Sequence, residues 1–150
     1  MFATIARSAS LALSGIIAGI YVRDIISYLG VKRLPAPHYA RYHQELDREF
    51  ARAMPVVGMS ALLAGFANVA VPQDAPRRAL SAIALGCGLA EVGLTVRYNV
   101  PLNQTIQGWA TEAPPPDWAE VRDRWIVDHR VRTALSLIGL GCQITAAVRH

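Results

Sequence analysis

Arg122, Trp125, His129 and Arg132 recur at i, i+3, i+7 and i+10, a spacing that puts all four on one face of a helix. Two cations, an indole and an imidazole that titrates near neutrality form a stripe with chemical potential. The stripe runs straight into the apolar stretch Thr133–Val148. Polar side chains at the edge of a membrane span face a bundle interior or a wet cavity, because lipid cannot solvate them. His129 is the natural general base here, and Arg132 can steady a developing anion. The plainer alternative is a histidine hydrogen-bonded into a packed bundle.

Other residues could join this stripe. Glu91 is the one acid inside an otherwise charge-free apolar block, which makes it a candidate acid or base. Its structural alternative is an ion pair with an inward-facing arginine such as Arg132. Asn99 and Asn103 flank Pro101–Leu102, and their amides can bind a ligand oxygen or serve the turn chemistry of a proline break. His43 and Asp47 are spaced i, i+4, which can present two ligands to one metal ion or a solvated helix face. Trp109 and Trp118 suit a membrane-interface belt. Cys87 and Cys142 lie in apolar blocks without a C-x-x-C pattern and read as buried thiols. No H-E-x-x-H, G-x-S-x-G, P-loop or G-x-G-x-x-G motif occurs, so hydrolase and nucleotide readings lack local support.

The elements that must hold these residues are apolar helices. The 150-residue chain is 53% hydrophobic and only 17% charged, where about 25% charge is usual for a soluble domain. Ser8–Val22, Ala53–Gln73 and Thr133–Val148 carry no charge, and Ala79–Val96 carries only Glu91. Four such blocks predict an all-α, four-helix transmembrane bundle in a single integral membrane domain, with spans near 8–29, 53–71, 79–97 and 131–148. Arg7 before the first block imitates a signal peptide, but the run ends at Arg23–Asp24 without a small-residue cleavage site, so it reads as an uncleaved span.

Polar and amphipathic extensions fall on one side of this bundle. His38–Arg52 reads as a polar helix leading through Met54–Pro55 into the second span. Pro76 with Arg77–Arg78 reads as a short turn, Pro101 as a break, and Leu102–Trp109 as a short amphipathic piece. Asp117 with Glu120 has the spacing of a capping box. Gly15-x-x-x-Gly19 predicts a close helix–helix approach. Eleven of the fifteen Lys and Arg lie on the side of loops 1–2 and 3–4, which the positive-inside rule places in the cytoplasm. The expected location is therefore an integral membrane protein of a bacterial inner membrane. The basic pI of 9.5 reflects lipid headgroups and internal ion pairs rather than nucleic acid.

One stretch resembles a known pattern. Tyr98–Asn99–Val100–Pro101–Leu102–Asn103, then Trp109, Trp118, Arg124–Trp125, His129 and Arg132–Thr133, are similar to the anthrone oxygenase-like family of small four-span membrane proteins. The match is strongest over Tyr98–Thr133, whereas His38–Arg52 is only loosely similar, which leaves the roles of His43 and Asp47 open. The resemblance implies an oxidation by O2 of a lipophilic, anthrone-like aromatic, with Asn99, Asn103, Trp125, His129 and Arg132 carried over as site residues. Together the residues and the resemblance predict a membrane-embedded oxygenase, with His129, Arg132 and Glu91 catalytic and Asn99, Asn103, Trp125 and Arg122 binding substrate. Either no cofactor or a single transition metal would serve it, the metal held at His43 and Asp47 or by some other subset of His43, Asp47, Glu91 and His129. The expected partners are the bilayer and a lipophilic small molecule, with a homo-oligomer also compatible. The alternative is a non-catalytic membrane binding or scaffold protein whose polar stripe is structural.

Overall fold

The computed structural model describes residues 1–149. It consists of α1 (Phe2–Val31), α2 (Ala36–Ala70), α3 (Ala75–Leu94), a π-helical turn (Thr95–Asn99), α4 (Val100–Gln107) and α5 (Trp118–Val148). Four helical rods are long and apolar enough to cross a membrane, α3 and α4 forming one rod through the π turn. The chain is an all-α membrane four-helix bundle. α5 packs along both α1 and α3, and α2 packs on the same two helices. Large apolar side chains such as Ile16, Met59, Leu63, Phe66, Ile83 and Ile138 point outward, where acyl chains can cover them.

Glycine lets these helices approach, but not where the sequence pattern points. Gly15 and Gly19 have no neighbour within 4 Å of a notional Cβ, so the Gly-x-x-x-Gly face is not an internal contact. The close approaches are elsewhere. A Cβ at Gly65 would lie 3.1 Å from Leu85 Cδ1, and one at Gly139 would lie 3.3 Å from Cys87 Cβ. Small residues signal that an approach is possible, and the partner helix decides which of them is used.

Prolines shape the polar side. Pro55 lies inside α2, so His38–Arg52 and the second apolar stretch form one continuous helix, as expected. Pro76 instead sits in the first turn of α3, where a missing N–H costs nothing. Asp74 caps that turn by accepting from Arg77 N at 2.9 Å, so the segment read as a turn is a helix start. Pro101 does not break its helix. The preceding turn widens to π geometry, with Val100 N bonding Thr95 O, and the helix passes the proline. Asp117 does stand at the N-cap of α5, but its side chain makes no capping hydrogen bond. Its ψ of 9° belongs to a turn rather than to the extended cap geometry that aims the carboxylate at the helix.

Candidate functional site

The polar side chains of α2, α4 and α5 meet around Asn103. Trp125 Nε1 donates to Asn103 Oδ1 at 2.7 Å. An indole N–H only donates, which identifies the amide oxygen and turns Nδ2 towards Asp47 Oδ1 at 2.5 Å. His43 Nε2 also faces Asn103 Oδ1, at 3.3 Å, so that nitrogen carries the proton. His43 Nδ1 meets only the Tyr39 hydroxyl, at a long 3.4 Å. Asp47 completes its coordination with Gln107 Nε2 at 2.9 Å. Two amides fasten α4 to α2. Gln107 donates to Gln44 O at 3.0 Å, and Gln44 donates to Ile106 O and Trp109 O at 2.8 and 3.0 Å.

His43 lies in the charged part of α2, outside the apolar stretch. Burial pushes its imidazole below the usual histidine range, and hydrogen bonding to Asn103 and the charge of Asp47 only partly oppose this. His43 and Asp47 both bond the Asn103 amide, so hydrogen bonding to a shared side chain accounts for where they stand. Among the described residues no cluster of three or more His, Cys, Asp or Glu could hold a metal ion. The donor set does not fit a metal at this place, and its hydrogen bonds account for each residue in it.

A second cluster begins where Trp125 stacks on His129, with ring centroids 4.8 Å apart and planes 9° from parallel. His129 is 1% exposed. Its Nε2 faces Tyr21 O at 3.2 Å, and its Nδ1 faces Arg132 Nη2 at 2.8 Å. A carbonyl only accepts and a guanidinium only donates, so His129 is the neutral Nε2–H tautomer with both nitrogens engaged. Arg132 also donates to Thr95 Oγ1 at 2.9 Å and lies 4.9 Å over the Tyr21 ring. Its Nε is buried without a partner, and no carboxylate pairs with it among the described residues. The ion pair with Glu91, the structural alternative for that carboxylate, is not formed among the described residues. Arg132 is a buried cation held by a hydroxyl, an imidazole and a π face.

Asn99 ends the π turn at 2% exposure, and neither atom of its amide has a hydrogen-bond partner. The wider turn explains why a polar residue beside a proline points into the protein. Arg122 belongs elsewhere. It donates to Asp123 Oδ1 at 2.9 Å and Lys32 O at 3.2 Å, and lies 4.8 Å over the Trp118 ring. Hydrogen bonding to this guanidinium, helped by the Tyr28 hydroxyl at 2.7 Å, holds the Asp123 carboxyl below its usual range. Arg122 therefore ties α5 to the end of α1, away from the His129 cluster. Glu91 lies deeper in the bundle, 8% exposed.

Beside these clusters is an open groove of about 710 Å³, lined by Arg97, Tyr98, Leu102, Arg124, Val127 and Asp128 among others. Tyr98 precedes Asn99 and Asp128 precedes His129, so groove and clusters occupy different faces of the same two segments. Sequence reasoning gave the groove residues no role, although Tyr98, Leu102 and Arg124 stand in the family motif, and it missed Tyr21, Tyr39, Gln44, Thr95 and Gln107. Gln107 stands four residues beyond Asn103, and Gln44 three before Asp47, so helical spacing carried a signal for both. Tyr21 and Thr95 carried none, because they meet Arg132 across 111 and 37 residues of chain.

No curated protein and no solved structure gives a significant match to this chain. The anthrone oxygenase family does match, over residues 45–142. That range includes Asp47, Glu91, Asn99, Asn103, Trp125, His129 and Arg132, and leaves out Tyr21 and His43. The match covers well over half of the chain and extends beyond the Tyr98–Thr133 motif into α2 and α3, so the protein belongs to the anthrone oxygenase family.

Proposed function

We propose that the protein is a membrane-embedded oxygenase that converts the activated methylene of a lipophilic, anthrone-like aromatic to a carbonyl, with O2 as co-substrate. The observation that carries this reading is Arg132, a buried cation paired with neutral groups alone, one of them His129, the other Thr95 of the π turn that ends at the orphaned Asn99 amide. Such a cation favours an enolate or phenolate over the neutral substrate. A substrate oxygen would draw Arg132 Nη2 from His129 Nδ1. The bond given up frees the nitrogen lone pair to take the methylene proton, so binding and base activation are one event. Asn99 would pair with a second polar group on the ligand, and Trp125 would hold the imidazole plane. The groove beside Tyr98 and Val127 would admit the ring system from the bilayer.

The reaction balances without another reductant. The carbanion transfers electrons to O2 and forms a C–O bond, giving a peroxide that takes the proton back from His129. Loss of the second methylene proton with O–O cleavage leaves the ketone and one water. No step needs a metal at His43 and Asp47. On the positive-inside rule the polar half faces the cytoplasm.

The test is anthrone turnover by detergent-purified protein and its His129→Ala variant. A variant of wild-type thermal stability should lose at least about a hundredfold in rate, the lower range for a general base. Full turnover by that variant would sink the assignment. A non-catalytic scaffold is the second reading, and the complete internal pairing of Asn103 favours it. It predicts no turnover by the wild type and no lipophilic ligand bound to the purified chain.

A further inference from the structure

A small cavity lies in the apolar half of the bundle, and neither the groove residues nor His129, Arg132 and Tyr21 line it. All four membrane-length rods contribute to its walls, among them Ser14 of α1, Gly65 of α2, Gly88 and Glu91 of α3, and Ser136 and Gln143 of α5. Its volume is about 40 Å³. That is enough for one to three waters, since one needs roughly 10–15 Å³ of such space. The missing side chains of Gly65 and Gly88 help to leave the space, and Leu85 and Leu62 fill only part of it.

Its lining is more polar than packing at this depth requires. Gln143 is 8% exposed and donates through Nε2 to Ser14 Oγ at 2.8 Å, while its Oε1 is buried without a partner. The Glu91 backbone carbonyl accepts from Thr95 Oγ1 at 2.7 Å and from the Thr95 N–H, but among the described residues no side chain or backbone group bonds its carboxyl. The carboxyl group therefore has no protein partner among the described residues, in a side chain that is only 8% exposed, and burial of an unpartnered carboxyl is costly. Arg132 of α5 and Tyr21 of α1 are the charged or titratable groups that act on it from packed helices, and Cys87 does so from α3. α2 contributes only Ala61, Leu62 and Gly65 to the wall.

We propose that this cavity is a water site between the helices at which Glu91 binds and releases a proton. Water bridges the carboxyl group to Gln143 Oε1 and to the Ser136 hydroxyl, satisfying groups that the fold leaves unpaired. The proton passes between the Glu91 oxygen and that water, and no other bond changes. The site is independent of the oxygenase reading, because it needs neither substrate nor turnover.

Infrared difference spectra of the detergent-purified full chain, recorded across pH in H2O and D2O, test it. A carboxylic C=O band that titrates with pH and shifts in D2O is expected, with complete loss in Glu91→Gln. Gln143→Leu should shift the band, because it removes one end of the water bridge. Should that variant fail to fold, Gly88→Ala serves instead. Its Cβ meets Leu62 Cδ2 at an ordinary 3.4 Å and trims the void from the α3 side. A band that survives Glu91→Gln, or one that neither cavity variant moves, would overturn the proposal. So would loss of the band on adding Na+ at constant pH and ionic strength, which would make the cavity a metal-ion site.

Discussion

Asn103 and Asn99 stand four residues apart on one segment, and the structure treats them in opposite ways. Asn103 spends both ends of its amide on Trp125, His43 and Asp47. Asn99 is more deeply buried than most of the core and spends neither. A buried amide without partners costs stability, about 1–3 kcal/mol for each unsatisfied group. A folded protein that keeps such a cost at a site needs a compensating use. The saturated amide is therefore a clamp between helices, and the orphaned one is the amide left free for the ligand contact that the proposed function assigns to it. Residue type and spacing mark both positions equally, so only the partners distinguish them.

The largest effect should come from breaking the clamp. Asn103→Leu leaves Asp47, the Trp125 N–H and the His43 N–H short of a partner at once. Because each buried unsatisfied group costs about 1–3 kcal/mol, a loss of ~2–4 kcal/mol is expected after partial relaxation and rehydration. Thermal melting in detergent should register it as a clear drop in midpoint. An unchanged midpoint would mean that the network around Asn103 is not what joins α4 to α2 and α5.

Asn99→Leu should behave in the reverse sense. Removing an unpartnered amide relieves its desolvation, so stability should hold or rise by about 1 kcal/mol. Turnover, or affinity for an anthrone-like ligand, should fall about tenfold or more, the equivalent of losing one hydrogen bond of ~1.4 kcal/mol. A variant that is both less stable and fully active would erase the contrast between the two asparagines.

The paired side also predicts an acid limb. His43 has its folded pKa pushed below the unfolded value by burial. The unfolded chain then binds more protons than the folded one below about pH 6.5, the unperturbed histidine value. Stability from this group is complete above that pH and declines as pH falls towards the lowered folded value. His43→Gln should be less sensitive to pH through that window. Parallel melts of wild type and variant from pH 7.5 to 5 would show the two curves converging on the acid side, and parallel curves would remove His43 as the cause.

Much of the architecture was legible in the amino-acid order. Four apolar blocks, three of them charge-free and one carrying only Glu91, predict four spans, and helices of that length and apolarity are present. The family motif Asn99–Asn103 to Arg132 predicts the family that matches. The pairing inside the site was not legible. Asp47 reaches Asn103 across 56 residues, and His129 reaches Tyr21 O across 108. Helical periodicity orders neighbours within a turn or two, and such contacts depend on how separate helices come together. The face shared by Arg122 and His129 shows the same limit. About two turns of helix were enough to carry Arg122 to the end of α1 and into contact with Lys32.

The smallest expected effect applies the same contrast to two aspartates. Asp74 and Asp117 both precede a helix and both have the residue type of an N-cap. Asp74 has ψ near 161°, which turns its carboxylate back on Arg77 N at 2.9 Å. Asp117 has ψ near 9°, and the Pro115 carbonyl ahead of it accepts from Trp118 N at 3.1 Å in a backbone turn. The first turn of α5 is thus begun by main-chain bonds, among them Glu120 N to Asp117 O at 2.9 Å. Asp74→Ala should cost about 1 kcal/mol, the usual value of a lost cap, and Asp117→Ala less than about 0.5 kcal/mol. Chemical denaturation in mixed micelles can resolve a difference of that size. If the two substitutions cost the same, the charge of each aspartate near a helix start matters more than its hydrogen bond, since the dipole effect acts on both carboxylates alike.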